Sequence, residues 1–543
     1  MNRTNNLSRL STETFDICII GGGASGAGCA LDAALRGMKV ALIEKNDFAS
    51  ETSSKSTKLI HGGVRYLEQA FKNFDFAQLK QVRHGLQERH IVIQNAPHLA
   101  YGLGLITPVF SWIEGLYFTI GLKIYGLFAK NDLLPKSKWL SKKETLAQMP
   151  TLSSKIHSSV LYYDGQLDDA RYCLALAHTA QEAGAVIVNH LEVNGLEKNE
   201  SGKIVSVKTK DLLSGQGITI KAKLIVNCTG PFADHIRLMA NPTLEKRIRP
   251  SKGVHLMLPA EVLNSKDAML IPKTKDGRVV FAIPFEGDLM LGTTDNDYDD
   301  LAKEPQLEAQ EIDFLIETLQ RYIQKPIDRN LVKGGFGGLR PLLSASANKD
   351  TKKLVRDHEV EHDETSGLIS LLGGKWTTYR LMAKDTIDMA AAQLNQDQPC
   401  ITENHLLVGA VGYNPIDCQH ISDKYALPED VAKHLVAKYG SRASKVADLT
   451  LANPLLASRL VTKYTFIEAE VIYHCQAEMA CKIRDVLARR MRLEFLDWQA
   501  AAQAAPKVAE IMAQQLGWSS DQTIKELANY QLFIADLIAR KKA

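Results

Sequence analysis

The feature that most constrains the fold is the stretch FDICIIGGGASGAGCALDAALRGMKVALIEK, residues 15–45. It begins with a short apolar run over residues 17–20, which is typical of a buried parallel strand. Gly21, Gly23 and Gly26 follow as GxGxxG. The first glycine permits a tight turn, the second lets the backbone approach a pyrophosphate, and the third lets a helix pack closely on the strand. The pattern predicts a dinucleotide-binding turn.

The residues after these glycines complete a nucleotide-binding unit. A helix over about residues 24–36 would present its N-terminal amides to the phosphates. A second strand over residues 39–43 ends at Glu44, where an acid accepts hydrogen bonds from ribose hydroxyls. An acid at this position disfavours the 2′-phosphate of NADP. FAD and NAD both remain open at this point.

Two distant segments favour FAD. The stretch LIVNCTGPFAD is an apolar strand that ends at Thr229 and Gly230, and GLISLLGGKWTTYR is a strand followed by a helix start between Gly374 and Thr377. Amides at such a start can face a pyrophosphate or a flavin carbonyl. Each segment alone is equally well explained as a buried strand with a tight turn. Together with the first motif they predict an α/β fold with a discontinuous, Rossmann-like FAD-binding domain.

Composition bounds the class of protein. A chain of 543 residues exceeds what one hydrophobic core usually supports, so we expect two to four domains. A net charge of +3 gives little support to nucleic-acid binding. The eight cysteines are scattered without a CxxC pair, which argues against a metal site or a disulfide framework. The polar start MNRTNNLSRLSTET has no apolar signal-peptide core, so a protein of the cytosolic side is expected.

Several further stretches resemble one known family. They are GGGASGAG, IEKNDFASETSSKSTKLIHGGVRYLE, VNCTGP, KGVHLMLP, VFAIPF with LGTTDNDY, GGLRPL, VRDHEV and LLGGKWTTYR. In these the chain resembles the membrane-associated, FAD-dependent glycerol-3-phosphate dehydrogenases, within the D-amino-acid-oxidase-like flavoproteins. The resemblance runs from about residue 15 to 380, and DVLARR at 485–490 extends it. The chain departs slightly in GGFGGLRP, where the family often has a larger aromatic and a single glycine, but it keeps Arg340.

The resemblance implies that the hydroxyl-rich loop after the second strand lies against the flavin and the substrate. Ser53, Ser54 and Thr57 would then hydrogen-bond FAD, and the turn at Gly62 and Gly63 would let the backbone approach the isoalloxazine ring. Without the resemblance, such a loop would be interpreted as solvent-exposed. FAD is expected to be held without a covalent bond.

The implied substrate, glycerol 3-phosphate, is a small dianion that a cationic site must collect. The resemblance assigns substrate binding to Arg65, Tyr66, Arg356 and Lys375. Arginine offers planar two-point hydrogen bonds to phosphate, and lysine adds a compact point charge. For Arg65 considered alone, a surface ion pair would be the ordinary interpretation.

Oxidising a secondary alcohol requires removal of the hydroxyl proton as hydride leaves the carbon for the flavin. His255 and His61 are the histidines inside the matching motifs, and His255 is the preferred proton acceptor, with His61 as the alternative. Arg340 would stabilise the developing alkoxide. A lone histidine is more often a core or surface group, and a histidine in a strand can face either the core or a cavity.

The predicted organisation alternates FAD-binding and substrate segments. FAD-binding segments are expected over residues 14–95, 161–249 and 351–398. A substrate and membrane-contact segment is expected over 96–160, and an α+β mixed-sheet substrate domain over 250–350. The Ala- and Leu-rich remainder predicts a C-terminal helical domain over 404–543, with DVAKHLVAKYG and EAEVIYHCQAEMACKIRDVLARRMRL as helices.

Residues 99–129 are the most apolar of the chain, but Glu114 and Lys123 interrupt them and Pro108 breaks any single helix. The stretch KSKWLSKKE (136–144) follows, with four lysines and a tryptophan suited to an anionic headgroup layer. The alternative is a buried helix pair followed by a solvated basic loop. We expect peripheral, one-leaflet attachment on the cytoplasmic side of the cell membrane.

Four functions are open. The first is a dehydrogenase that passes electrons to membrane quinone, and the second is the related oxidase that passes them to oxygen. The oxidase branch carries a long insert between the motifs of Arg340 and Lys375, so the short spacing here favours the dehydrogenase. An FAD-containing RNA-modifying or RNA-binding protein is disfavoured by the near-neutral charge, and a flavin-binding protein without catalysis by the retained Arg, Lys and His set. The oligomeric state, a homodimer included, is open.

Overall fold

The structure is a computed structural model that describes residues 1–63, 76–128, 134–272, 274, 277–344 and 358–542. Three of the predicted substrate-binding residues, Arg65, Tyr66 and Arg356, lie outside these ranges. The strands are β1 (Thr14–Ile20), β2 (Val40–Ile43), β3 (Leu59–Ile60), β4 (Ala100–Val109), β5 (Lys138–Ser141), β6 (Ser158–Leu167), β7 (Val186–Val188), β8 (Leu191–Lys198), β9 (Ile204–Asp211), β10 (Gly217–Asn227), β11 (Ile248–Pro259), β12 (Ala268–Ile271), β13 (Val280–Phe285), β14 (Asp288–Gly292), β15 (Asn296–Asp297), β16 (Gly334–Leu343), β17 (His358–His362) and β18 (Ile369–Gly373). The α-helices are α1 (Arg3–Thr12), α2 (Ala24–Leu35), α3 (Phe76–Asn95), α4 (Trp112–Phe128), α5 (Lys142–Gln148), α6 (Asp169–Glu182), α7 (Ala233–Ala240), α8 (Ala309–Gln320), α9 (Tyr379–Gln393), α10 (Asp417–Tyr425), α11 (Glu429–Tyr439), α12 (Ala443–Ala452), α13 (Glu468–Ala477), α14 (Leu493–Leu496), α15 (Trp498–Leu516) and α16 (Ser520–Lys542).

The first sheet has the order β17-β18-β10-β1-β2-β7, and β8 and β9 extend it beside β10. Strands β18, β10, β1, β2 and β7 run parallel to one another, whereas β17 and β9 pair antiparallel with β18 and β10. Ile20 at the end of β1 lies opposite Ile43 on β2 and Asn227 on β10. The carboxyl ends of these strands therefore meet at one edge, the usual place of a nucleotide in such a sheet. Gly21 and Glu44 follow directly at that edge.

The second sheet has the order β15-β11-β14-β13-β12-β4-β6-β3, with β16 beside β11 and β5 beside β6. It is mixed, because β12 and β4 are parallel while β11 pairs antiparallel with β14 and β16. On β11 and β16, His255 lies opposite Phe336 and Ser251 lies opposite Arg340. The pairing brings His255 and Arg340 onto neighbouring strands. The predicted fold class, a Rossmann-like FAD-binding domain with a mixed-sheet domain and a C-terminal helical domain, is confirmed. The six predicted segment boundaries stay a prediction.

The alternating side chains of β1 show how the first sheet is buried on both faces. Ile17 and Ile19 join a core that includes residues of α2, α6 and α9, whereas Cys18 and Ile20 join a second core that includes residues of α1 and α7. This explains why the strand reads as a continuous apolar run. A third and larger core joins the second sheet to the C-terminal helices.

The apolar stretch 99–129 forms one strand and one helix. Strand β4 lies between β12 and β6, with Pro108 opposite Ser159, and α4 follows. The basic stretch 136–144 contributes β5 and the start of α5, whose N-cap Ser141 makes a capping box with Glu144. The alternative of a buried helix pair and a basic loop is wrong, because a strand buried on both faces is as apolar as a buried helix. Within the described ranges, no helix combines the length and the hydropathy that crossing a bilayer requires.

The helix expected over EAEVIYHCQAEMACKIRDVLARRMRL is interrupted. Helix α13 ends at Ala477, and a π-helical turn, Asp485–Arg490, follows after a break. In the break, Met479 has a φ of 57°, and the Asp485 carboxylate accepts the backbone N–H groups of Cys481 and Lys482, each at 2.9 Å. This carboxylate caps a new helical start, which apolar spacing alone does not reveal.

The π-helical turn ties the C-terminal domain to the first sheet through buried charges. The Asp47 carboxylate accepts hydrogen bonds from Arg489 Nε at 2.8 Å and from Arg490 Nη2 at 3.0 Å. His190 Nε2 lies 2.9 Å from Asp485 Oδ2. Asp47, His190 and Asp485 are close enough to hold a metal ion, but the two guanidinium groups already neutralise the carboxylates. The geometry is that of a buried ion-pair network.

Replacing Arg490 with Met should lower the thermal transition of the protein markedly. Breaking a buried ion pair typically costs about 3–5 kcal/mol because the partner is left under-compensated. Arg459→Met is a matched control, since its pair with Asp430 at 2.7 Å is partly exposed and such pairs contribute less than about 1 kcal/mol. Thermal denaturation followed by tryptophan fluorescence measures both. Equal shifts in the two variants would contradict the structural role of the network.

Candidate active site

A cleft of about 1180 Å³ opens at the carboxyl edge of the first sheet. Its volume exceeds the roughly 300–1,000 Å³ that is typical of small-molecule pockets, as a dinucleotide requires. Seven predicted cofactor-binding residues and one predicted substrate-binding residue line it: Gly21, Gly23, Glu44, Ser53, Thr229, Gly230, Gly374 and Lys375. The other described candidates do not line this cleft: Gly26, Ser54, Thr57, His61, Gly62, Gly63, His255, Arg340 and Thr377.

The GxGxxG turn leaves bare backbone at the start of α2. Gly21 has a φ of 110°, and a Cβ there would lie 2.6 Å from the carbonyl oxygen of Cys228. A Cβ on Gly26 would lie 1.8 Å from the carbonyl oxygen of Gly21. Gly23 is the N-cap of α2, whose first amides are free of side-chain caps except that Ala24 N–H donates to Ser53 Oγ at 2.9 Å. The turn fits a pyrophosphate, which needs close backbone approach and helix N-terminal amides.

The Glu44 carboxylate is fixed at the end of β2 by backbone amides. It accepts Gly22 N–H at 2.6 Å on one oxygen and Asn46 N–H at 2.8 Å on the other. Burial raises the pKa of the Glu44 carboxyl, and these two hydrogen bonds partly oppose that shift. A carboxylate so held keeps lone pairs for ribose hydroxyls, in the role predicted from the sequence.

Two other strand ends shape the far side of the cleft. After β10, Thr229 Oγ1 donates to Asn227 Oδ1 at 2.7 Å, and Gly230 takes a φ of 55°. After β18, Gly374 has a φ of 91°, and a Cβ there would lie 2.3 Å from Met382. Both turns therefore need glycine, which leaves backbone exposed towards the cleft.

The loop over residues 52–58 is fixed by hydrogen bonds to its backbone carbonyls. Trp376 Nε1 donates to the Ser53 carbonyl at 3.0 Å. Ser54 is buried, its hydroxyl donates to the Glu51 carbonyl at 3.4 Å, and its own carbonyl accepts Lys58 Nζ and Arg492 Nη2, each at 2.7 Å. The structure thus brings the Ser53 hydroxyl to the cofactor cleft and turns Ser54 towards the protein interior.

His255 is a buried residue of β11. Its Nε2 lies 3.0 Å from Thr57 Oγ1, and its ring stacks on Phe336 with centroids 4.9 Å apart. Its Nδ1 has no hydrogen-bond partner among the described residues. Burial lowers the pKa of His255 well below its ordinary value, and the charges of Lys58 and Arg340 lower it further. The imidazole is therefore neutral at ordinary pH, and one of its buried nitrogens has no hydrogen-bond partner among the described residues.

Arg340 lies on the neighbouring strand and is held at three points. Its Nη2 donates to Thr293 Oγ1 at 3.1 Å and to the Thr294 carbonyl at 3.0 Å, and Nη1 lies 3.2 Å from Asp295 Oδ1. A guanidinium fixed in this way presents its charge in one direction with little entropy left to lose.

The turn that contains His61, Gly62 and Gly63 packs against two other segments. His61 N–H donates to Thr377 Oγ1 at 3.3 Å, and Gly62 N–H donates to the Tyr125 hydroxyl at 2.7 Å. A Cβ on Gly62 would lie 2.7 Å from the side chain of Leu86, and Gly63 has a φ of 89°. The turn requires glycine for both packing and conformation.

Sequence analysis missed four residues that support this site. Lys58, Asp169 and Arg492 form a buried ion cluster, and Phe336 stacks on His255. Lys58 lies within the matching motif TKLIHGG and Phe336 within GGFGGLRP, and these are the sequence signals available. Asp169 and Arg492 are far apart in the chain and carry no local pattern.

Known proteins resemble this chain over nearly its full length. The mitochondrial glycerol-3-phosphate dehydrogenase of Arabidopsis thaliana is 40% identical, over 99% of this chain and 88% of that protein. That of Bos taurus is 39% identical, over 97% of this chain and 74% of that protein. The crystal structure of the glycerol-3-phosphate dehydrogenase from Bacillus halodurans, complexed with FAD, matches with a TM-score of 0.80 and 29% identity, over 98% of this chain and 96% of that one.

Two domain families match as well. The family of FAD dependent oxidoreductases matches residues 16–387, and the C-terminal domain of alpha-glycerophosphate oxidase matches residues 400–523. The fold and the dinucleotide cleft thus define a flavoprotein oxidoreductase whose cofactor is FAD. Within that class, the chain belongs to the FAD-dependent glycerol-3-phosphate dehydrogenase family, as the resemblance of its motifs predicted.

Gly26→Ala should abolish FAD binding, because the new methyl would overlap the Gly21 carbonyl and displace the turn. Gly121→Ala is the control, since a Cβ at Gly121 meets no atom within 4 Å. Flavin content is measured as the yellow chromophore released by acid precipitation. A chromophore that stayed in the pellet would contradict non-covalent binding, and a full flavin content in Gly26→Ala would contradict the assignment of the turn.

Proposed function

We propose that this protein oxidises sn-glycerol 3-phosphate to dihydroxyacetone phosphate with FAD as the hydride acceptor. The observation that carries the proposal is His255, a buried neutral histidine that contacts Thr57 of the loop whose Ser53 lines the cofactor cleft, and whose Nδ1 has no partner within the described ranges. The relatives named glycerol-3-phosphate dehydrogenase support the choice of substrate. When bound, FAD supplies the two-electron chemistry.

His255 is the proposed general base. A neutral imidazole can accept the hydroxyl proton of the substrate as the carbon loses hydride. The carbonyl then forms without a free alkoxide anion accumulating. Thr57 at 3.0 Å from Nε2 orients the ring and leaves Nδ1 for the substrate. His61 remains the alternative base, on the turn beside Thr377.

Arg340 is the proposed electrostatic partner of the base. Charge develops on the substrate oxygen during the reaction, and a preorganised cation stabilises that charge more than it stabilises the neutral alcohol. Its three contacts, to Thr293, Thr294 and Asp295, fix the guanidinium before the substrate arrives.

The substrate phosphate is assigned to Lys375, which lines the cleft, and to Arg65 and Arg356. Tyr66 is a further proposed substrate-binding residue, and it lies with Arg65 and Arg356 outside the described residues. For FAD, the proposed contacts are the GxGxxG turn with Glu44, Ser53, Thr229, Gly230 and Gly374 at the cleft, and Thr57, Gly62, Gly63 and Thr377 behind it. Ser54, the remaining candidate from the sequence, is buried with its hydroxyl on the Glu51 carbonyl, so its proposed part is to hold the loop. Non-covalent binding of FAD belongs to the same proposal.

His255→Gln should slow reduction of the bound flavin by about 10²–10⁴-fold while FAD is retained, because general-base catalysis typically contributes that much. Anaerobic stopped-flow mixing with glycerol 3-phosphate, followed by flavin absorbance, measures the step directly. Glycerol is the control substrate, and it should leave the wild-type flavin oxidised because it lacks the phosphate. If the flavin of His255→Gln were reduced at a near-normal rate, the general base would have to be another residue such as His61. If glycerol 3-phosphate did not reduce the wild-type flavin, it would not be the substrate.

For the electron acceptor, we propose a membrane quinone reached by peripheral attachment to the cytoplasmic face of the cell membrane, through an anionic lipid surface. Six apolar side chains at the end of β4 and along one face of α4 are between 45% and 65% exposed: Phe110, Trp112, Ile113, Leu116, Tyr117 and Ile120. On the opposite side, Leu122 and Tyr125 are buried. A helix with one apolar face turned outward suits insertion into one leaflet.

A basic cluster borders this apolar face. Trp139 on β5 packs over α4, since a Cβ on Gly115 would lie 2.3 Å from its ring. Four exposed lysines follow in the same stretch: Lys136, Lys138, Lys142 and Lys143. Lysines near an anionic surface contribute about 1 kcal/mol each, within a Debye length. The two features together support attachment to an anionic membrane.

The pair Ile113→Ser with Ile120→Ser should release the protein from anionic liposomes. Fully burying such a side chain contributes about 1.5–3 kcal/mol, so affinity should fall by 10-fold or more. The matched control is Ile416→Ser with Ile524→Ser, which removes two isoleucines of the C-terminal domain that are at least as exposed as the test pair. Flotation at low and high salt measures binding. The attachment proposal fails if both pairs float like the wild type.

The oxidase alternative has one observation in its favour, the match of residues 400–523 to the C-terminal domain of alpha-glycerophosphate oxidase. After anaerobic reduction by glycerol 3-phosphate, the reoxidation rates with oxygen and with a soluble quinone analogue decide between the acceptors. Faster reoxidation by oxygen would replace the quinone proposal with the oxidase.

A further inference from the structure

His255 belongs to a column of stacked rings that crosses from the second sheet into the C-terminal domain. Its ring lies 4.9 Å from that of Phe336, and the Phe336 ring lies 4.8 Å from that of Phe495. Two buried cations flank the column. Lys58 Nζ lies 4.6 Å from the Phe336 centroid, and the Arg492 guanidinium lies 4.8 Å from the Phe495 centroid.

The ammonium group of Lys58 is locked in this place. The residue is fully buried, and Nζ donates to Asp169 Oδ2 and to the Ser54 carbonyl, both at 2.7 Å. Asp169 is shared, because its other oxygen lies 3.1 Å from Arg492 Nη2. A cation with two fixed acceptors and no solvent cannot swing away from the histidine column.

Resting on the function proposed above, we propose that Lys58 is a positioning residue whose fixed charge keeps His255 in the neutral form that accepts the substrate proton. Lys58 and the imidazole both contact the Phe336 ring, and the charge of Lys58 repels a second proton on the imidazole. Asp169 and the Ser54 carbonyl hold the charge in place, and they prevent Lys58 from approaching the substrate itself.

The charges that face His255 support this role. Its pKa is lowered first by burial and then by the cations Lys58 and Arg340. Arg340 is paired with Asp295, and Lys58 and Arg492 share Asp169. The other contacts of the ring, Thr57 and Phe336, are uncharged.

Lys58 carries its charge in the pH range where it is needed. Burial lowers the pKa of Lys58 to about 7, against the opposing effect of Asp169. The ammonium form therefore prevails below pH 7, which is where protonation of an ordinary histidine begins.

The test is the pH dependence of flavin reduction by glycerol 3-phosphate in the holoenzyme. In Lys58→Met the acidic limb of the rate profile should move to higher pH by about 1 pH unit, because the repelling charge is gone and His255 protonates more easily. The substrate phosphate also titrates near pH 6, but it does so identically for every variant. Only differences between variants are therefore compared.

A readout independent of turnover is the titration of the His255 Cε1 signal in ¹³C-histidine-labelled holoenzyme without substrate. His255→Gln identifies the signal by its absence. The midpoint should rise by the same amount in Lys58→Met as the rate profile does. A purely structural role of Lys58 would change rates or stability without moving this midpoint.

Two further variants keep the test decisive. Lys55→Met removes another buried lysine of the same loop, paired with Glu304 at 2.7 Å, and it should leave both the limb and the midpoint in place. The double variant Lys58→Met with Asp169→Asn removes both charges of the ion pair, so no unpaired carboxylate remains in the interior. It is used in place of Lys58→Met if the unpaired Asp169 prevents the single variant from folding. It should show the same upward shift.

An unshifted limb and an unshifted Cε1 midpoint, in the single or the double variant, would overturn the role of Lys58. That result is distinct from failure of the proposed function, in which wild-type flavin would not be reduced by glycerol 3-phosphate or His255→Gln would be reduced normally. A shift of equal size in Lys55→Met would also overturn it, because any buried lysine of the loop would then have the effect.

Discussion

The Asp169 carboxylate is the contact on which the arrangement of the site depends. It is fully buried and accepts four hydrogen bonds besides one from its own helix: Ser56 N–H at 2.9 Å, Ser56 Oγ at 2.7 Å, Lys58 Nζ at 2.7 Å and Arg492 Nη2 at 3.1 Å. A buried carboxylate is tolerated only when such partners are in place. Loop 52–58, helix α6 and the C-terminal domain must therefore adopt their positions together.

This constraint places one element between the two sheets. Loop 52–58 leaves the first sheet with Ser53 at the start of α2, and it ends with Thr57 against His255 of the second sheet. The cofactor cleft belongs to the first sheet and the proposed base to the second. The relative position of the cleft and the proposed base thus depends on a few residues of one loop. Lys58 and Arg492 fix this loop by donating hydrogen bonds to the Ser54 carbonyl.

The parts that the sequence predicts well are local. Each of Gly21, Gly23 and Gly26 has a steric reason for its position in the turn, and Glu44 follows the second strand at the offset that is typical of this unit. The positions of the turn and of the acid can therefore be predicted from the sequence alone. The histidine and arginine of the second sheet came from the resemblance of short motifs. Their neighbourhood on β11 and β16 follows from strand register, which those motifs do not contain.

The parts that the sequence does not predict are long-range or depend on capping. Asp169 and Arg492 are 323 positions apart and meet only in the folded chain. The break before the π-helical turn depends on the Asp485 carboxylate, and helical spacing continues across it unchanged. The apolar run that became β4 could equally have been helix, since burial on both faces removes the periodicity that distinguishes the two.

Helix α4, which carries the exposed apolar face, also contacts the turn at Gly62 through its buried side. Tyr125 on α4 is buried, and its hydroxyl accepts Gly62 N–H at 2.7 Å and lies 3.1 Å from Asp164 Oδ1. Asp164 in turn pairs with buried Arg89 of α3. Losing the Tyr125 contact would leave a buried amide unpaired, which costs about 1–3 kcal/mol. The exposed apolar face of α4 and its contact with the turn at Gly62 are therefore on two sides of one helix, so the position of α4 and the position of that turn cannot vary independently.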